Sequence, residues 1–256
     1  MTIKNHIAVF DGDKGGVGKS FACRAYIDLL LNQQEPALPV CAIDCDPRNP
    51  DIYRTFHNKL KVIRVALYDE AGWAKLYDYI CSDEVNGQNI AISLPAGIGI
   101  HSDRWGAIFK KSLSQTNNEV LTFWVLGKDI DSRNLLNTAL EKGSLLPHRT
   151  VVVLNDFFNE SPVNDVYETW HDSSLKKDFI ASGGRVITLP KLATRIVLKL
   201  EQKDSEGKPT IIPFSDVNFD NYYNDNTIKE WLSKVKEAFS PILTTEKLCT
   251  LNNLKK

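Results

Sequence analysis

The decapeptide Asp11-Gly-Asp-Lys-Gly-Gly-Val-Gly-Lys-Ser20 joins an apolar run, Ile7 to Phe10, to a helical stretch from Ser20 to Asn32. A strand, a glycine-rich turn and a helix in that order open an α/β fold. The glycines between Gly15 and Gly18 let the backbone take φ > 0, so successive N–H groups can surround an anion with no Cβ in the way. The helix that follows points its positive end at the same place. A nucleotide phosphate is the guest this arrangement anticipates, with Lys19 reaching the outer phosphates and Ser20 offering its hydroxyl to Mg2+. The candidate binding set is Gly15, Gly16, Val17, Gly18, Lys19, Ser20 and Phe21. The strict pattern Gly-x4-Gly-Lys-Ser/Thr asks for glycine where this chain has Asp13, and it gives no role to Lys14.

Working outward, short apolar runs recur at Ile7–Phe10, Val40–Ile43, Val62–Leu67, Ile90–Leu94, Val120–Leu126, Val151–Leu154 and Val186–Leu189. Helical patterns fill the intervals at Ser20–Asn32, Gly72–Cys81, Asp103–Ser114, Ser132–Lys142, Val163–Ala181 and Lys191–Lys203, with a last one at Thr227–Phe239. Ser161 and Pro162 read as an N-cap and first-turn proline, and Gly183-Gly184 as the stop of the same helix. This rhythm predicts a single α/β domain over residues 1–256, a mostly parallel, twisted sheet of about seven strands with helices on both faces. Residues 204–256 read as a C-terminal extension packing on it, beginning with a polar connection from Asp204 to Asn226.

Composition narrows the class. With 43% hydrophobic residues and a formal net charge of −1, the chain can build a sizeable core but carries no global basic field for nucleic acid or membrane. Its start lacks a signal-peptide pattern and no apolar run approaches membrane-spanning length, so a cytoplasmic protein without membrane contact is expected. Five cysteines without a Cys-x-x-Cys pair argue against a disulfide framework or zinc site, and Cys23, Cys41 and Cys81 read as small buried hydrophobes.

In open parallel sheets, ligands sit beyond the carboxyl ends of the strands. The second strand ends in Asp44-Cys-Asp46-Pro, two carboxylates suited to a Mg2+ nucleotide site, one holding a metal-bound water and the other orienting the attacking water. Standing alone, the same residues would read as a polar turn with capping aspartates. The fourth strand ends Ser93-Leu-Pro-Ala-Gly97, where Gly97 can offer an N–H at close range. The sixth ends at Asn155, whose amide can donate to and accept from a purine edge, or can satisfy its own turn.

The segment Lys14 to Ser20 resembles the deviant Walker A motif of the ParA/MinD family of ATPases, in which the early lysine is the signature. Asp44-Cys-Asp46-Pro resembles that family's Walker A′ motif, and Ser93 to Gly97 resembles its Walker B and switch region with serine in the aspartate's place. The resemblance implies an ATPase using ATP and Mg2+, with Lys14 and Asp46 catalytic, Ser20 and Asp44 in the metal shell, and Gly97 near the γ-phosphate. Asn155 would contact adenine, because Phe158 stands where related GTPases carry the guanine-reading aspartate, and Pro190 would pack near the base. It also implies an ATP-dependent homodimer in which Lys14 reaches across to the partner's phosphates. The output would be a positioning switch, with a protein partner from a plasmid partition or transfer system. Ser93 and the stretch Asp69 to Trp73 resemble the plasmid-stability and conjugation branch, StbB- or TraL-like. DNA contact would fall to Lys191, Arg195 and Lys199, spaced four apart beside a buried stripe of Leu192, Ile196 and Leu200. The alternatives are a P-loop metabolic enzyme of the dethiobiotin-synthetase kind and a nucleotide-binding scaffold that hydrolyses poorly, the latter motivated by the uncharged Ser93.

Overall fold

The computed structural model describes residues 5–12, 14–33, 38–98, 102–159 and 165–253. Seven strands form one sheet: β1 (His6–Asp11), β2 (Val40–Asp44), β3 (Lys61–Arg64), β4 (Asn89–Ser93), β5 (Glu119–Leu126), β6 (Thr150–Asn155) and β7 (Arg185–Leu189). Their order is β3-β2-β4-β1-β5-β6-β7, and every neighbouring pair is parallel. Each expected apolar run is a strand of this sheet. The runs are continuous because both faces are covered. Along β1, Ala8 and Phe10 enter one core and Ile7 and Val9 another.

Helix α1 (Lys19–Leu31) follows β1, α2 (Asp51–Phe56) follows β2, and α3 (Glu70–Ile80) leads from β3 towards β4. One π-turn at Ser102–Gly106 runs into α4 (Ala107–Ser114), and α5 (Ile130–Glu141) joins β5 to β6. Then come α6 (Glu168–His171), α7 (Ser174–Ala181), α8 (Thr194–Leu200) and the long α9 (Tyr222–Asn253). Among the described residues no helix is long and apolar enough to cross a membrane.

Several boundaries differ from the sequence expectation for local reasons. The helix expected over Val163–Ala181 is two helices, because Ser173 accepts the Lys176 N–H at 3.1 Å and caps a new start. Its expected Ser161-Pro162 cap lies outside the described residues. Its stop is as expected: Gly183 takes φ 87° and the Gly184 N–H returns to the Phe179 carbonyl at 2.9 Å. The helix expected from Lys191 begins only at Thr194. The polar connection from Asp204 contains half of an antiparallel hairpin, β8 (Glu201–Lys203) with β9 (Pro209–Ile211), and the last helix begins at Tyr222, five residues before the expected Thr227. Cys81, expected to be buried, is exposed just past α3, whereas Cys45 between its two aspartates is fully buried.

Candidate functional site

The loop after β1 sits at the middle of the sheet, flanked by the ends of β4 and β5. From β1 the chain crosses to β2 on one side, and from β4 it crosses over β1 to β5 on the other, which opens a crevice at the strand ends. The loop is fixed from below and open above. Val17 is buried, while Gly15 and Gly16 are exposed. Gly16 and Gly18 take φ of 77° and 100°, a conformation that costs any other residue strain. Gly18 is constrained twice, because a Cβ there would lie 2.3 Å from the Asn155 side-chain nitrogen. Gly12 has no room either, its hypothetical Cβ falling 2.6 Å from the Val125 carbonyl oxygen.

Lys19 is buried, and its ammonium donates to the Lys14 carbonyl at 2.7 Å, closing the loop into a ring. Lys14 is turned sideways. Its Nζ lies 2.6 Å from Asp129, the cap of α5, and 3.6 Å from Asp131 in that helix's first turn. The hydrogen bond to Asp129 raises the Lys14 ammonium above its ordinary range, and the same bond lowers the Asp129 carboxyl. Asp129 also caps α5 by accepting the Ser132 N–H at 3.1 Å.

The other strand ends converge on this loop. Ser93 is buried and pairs in register between Phe10 and Asp44. A Cβ on Gly15 would lie 3.7 Å from the Ala96 side chain, so the Pro95–Gly97 segment borders the loop; Gly97 itself has φ 67° and open space around it. Asp44 is buried, and its two oxygens accept the Asp46 and Tyr53 N–H groups, each at 3.0 Å. Burial pushes its carboxyl up to about 6, against the pull of those two bonds. Asp46 accepts from Arg48 and Asn49 at 2.9 and 3.0 Å. Both aspartates thus organise the turn into α2. Ser20 stands half-buried in the first turn of α1.

Asn155 donates to the Val17 carbonyl at 2.9 Å and accepts the Phe157 N–H at 3.2 Å, so its amide holds the loop and its own turn at once. Phe21 and Pro190 meet at a third residue, Trp231. Phe21 packs edge-on against its ring at 5.7 Å, and the Pro190 carbonyl accepts its indole N–H at 2.8 Å. Phe214 completes this aromatic wall.

The three basic residues do not make one stripe. Lys191 precedes α8 and donates to the Asn159 carbonyl at 3.1 Å, and the Arg195 guanidinium lies 4.1 Å from the Tyr223 ring centre. Leu192, Ile196 and Leu200 are buried as expected.

Sequence reading missed the underside of the site. The Tyr167 hydroxyl accepts the Asn155 N–H and reaches the Leu126 carbonyl, both at 3.0 Å, tying together the ends of β6 and β5. Burial raises its phenol. Gly127 donates to the Ser132 hydroxyl at 2.7 Å, and a Cβ at Gly127 would lie 2.9 Å from Val17. The available signal was Asp129-Ile-Asp-Ser132 after an apolar run, a helix-start pattern at a strand end. Tyr167 had none.

No family model matches the chain. A protein named MobD from Acidithiobacillus ferrooxidans is 27% identical over 191 residues, covering 74% of this chain and 79% of MobD. A solved structure described as a nucleotide-binding protein in complex with ADP, from Archaeoglobus fulgidus, is similar at a TM-score of 0.47 and 16% identity, over 73% of this chain and 82% of that one. The loop geometry, with glycines at positive φ and the Lys19 ammonium closed onto the loop, fits a phosphate-binding loop.

Proposed function

We propose that this protein is a nucleotide-driven switch of the ParA/MinD kind that binds ATP with Mg2+, hydrolyses it slowly and closes as a homodimer. The observation that carries this reading is the loop itself, a ring of backbone pinned at Val17 and Gly18 with Lys19 and Lys14 in place. Phosphate would draw Lys19 from the Lys14 carbonyl, and the N-terminal end of α1 would share the charge. For Lys14 to reach a partner subunit's phosphates it must leave Asp129 and Asp131. Once there, an ammonium offsets charge developing in phosphoryl transfer.

The metal donor set is thin. Among the described residues no group of three or more His, Cys, Asp or Glu is placed to hold an ion, and both Asp44 oxygens serve backbone N–H groups. This fits Mg2+ carried mainly by nucleotide phosphates and water, with Ser20 as the protein ligand. The buried, uncharged Ser93 supports slow turnover and favours the poorly hydrolysing scaffold as the second reading. Adenine is the proposed base, facing the Phe21–Trp231–Pro190 wall, since Phe158 offers guanine no carboxylate. The similarity to MobD favours plasmid mobilisation among the family's tasks. A protein partner is favoured over DNA, because two of the three basic residues already have partners within the chain.

Sedimentation with ATP and Mg2+ tests the switch: the wild type should move from monomer to dimer and Lys14→Ala should stay monomeric while still binding nucleotide. The same oligomeric state for both would sink the cross-subunit role of Lys14. Lys19→Ala should weaken ATP binding at least about tenfold; unchanged affinity would remove the nucleotide reading altogether. Faster hydrolysis by Ser93→Asp would favour the scaffold reading.

A further inference from the structure

On the sheet face away from α1, between α4 and the loop leading from α5 to β6, lies a cavity of about 520 Å3. Its body is apolar, built from Val9, Ile92, Leu113 and Val120, with Trp73 and Phe109 in ring contact at 5.5 Å. Trp73 is 5% exposed, and its indole N–H has no hydrogen-bond partner. The solvent side is cationic: Lys111, Lys142 and Arg149 are exposed and Lys110 is half-buried, donating to the Ser144 carbonyl at 2.6 Å. Among the described residues the one carboxylate in the lining is Asp11, 6% exposed on the floor, where it accepts the Gly12 N–H at 2.7 Å. The volume lies in the range of small-molecule sites, and the polarity runs from an apolar interior to a basic rim.

We propose that this cavity binds a small amphipathic anion, an apolar body bearing one carboxylate, with its tail among Ile92, Leu113 and Val120 and its charge at Lys111, Lys142 and Arg149. Tail and head contribute by different physics. Burying methylene groups supplies most of the affinity, and the basic rim selects charge sign. Because β1 forms part of the floor and runs straight into the phosphate loop, an occupant touches the strand that leads into Gly12.

Calorimetric titration of the full chain with decanoate, decanol and decyltrimethylammonium tests this. Decanoate should bind saturably below about 2 mM, and decanol and the cation at least about tenfold more weakly. The double variant Lys111→Glu/Lys142→Glu, changed only at exposed positions, should lose about tenfold for decanoate and little for decanol. Val120→Phe, which fills the cavity from β5, should abolish decanoate binding while thermal melting shows the protein still folded. If Val120→Phe unfolds the chain, Leu113→Phe serves in its place. Absence of saturable decanoate binding, equal binding of all three probes, or full binding by the filled variant overturns the proposal.

Discussion

Behind α1 the sheet carries one continuous core, whereas beneath α4 and α5 it carries two clusters with a cavity between them. On the α1 side, Phe10 and Phe123 stack at 4.8 Å, and Tyr26 and Phe239 close over them at 5.3 to 5.6 Å. Helix α9 seals that layer with Trp231, Val235 and Phe239. On the opposite face Val120 is only half-buried, and among the described residues nothing of similar bulk spans the space between α4 and α5. The comparison locates rigidity. Strand β1, and with it the phosphate loop, is positioned from the α1 side, and the other side is left with room for a guest.

Truncations on the two faces should break this comparison if it is wrong. Phe123→Ala removes a fully buried ring from the stacked layer and should cost about 3–5 kcal/mol in urea denaturation, whereas Val120→Ala should cost less than about 1 kcal/mol. Equal costs would mean that the two faces are packed alike. Gly18→Ala places a methyl group on the Asn155 amide and forces a left-handed residue. A loss of about 1–3 kcal/mol is expected, together with loss of nucleotide binding. A stable variant that still binds ATP would show that the loop is not pinned as described.

A smaller effect sharpens the picture on the α1 side. Asp28 is buried on α1 and accepts from the Ser215 N–H and hydroxyl at 3.0 and 2.8 Å, joining α1 to the segment before α9. Burial raises its carboxyl from 3.8 to about 6, opposed by the two Ser215 bonds. The folded state therefore holds a proton that the unfolded state has released between about pH 4 and pH 6, so rising pH lowers stability across that window and has no further effect above it. The difference in stability between Asp28→Asn and wild type should move in favour of the variant by up to about 3 kcal/mol from pH 4 to pH 6.5. A flat difference would place Asp28 in a wetter setting than its burial indicates.

The sheet was legible because seven apolar runs separated by helical patterns leave little else to build. Helix α2 was not, since its six residues, Asp51–Phe56, are too few to show a helical period. Nor was β8, whose Glu201-Gln-Lys203 has no apolar alternation and is held by register with β9. The phosphate loop announced itself through local composition, as did Ser93 at its strand end. The partners of that loop did not: Lys14 with Asp129, and Asn155 with Val17, are brought together by strand order rather than by neighbourhood in the chain. A cavity bounded by β1, β4, β5 and α4 has even less of a linear signature. It exists only as a difference between the volumes of distant side chains.

The contact between Gly18 and Asn155 bears on how this protein can vary. The asparagine occupies the space that the missing side chain of residue 18 leaves, and holds the carbonyl of residue 17 from there. The two positions, far apart in the gene, form one heritable unit: in relatives that keep this loop they should either both be retained or be exchanged together, and a substitution at one should be tolerated only on the background of a change at the other.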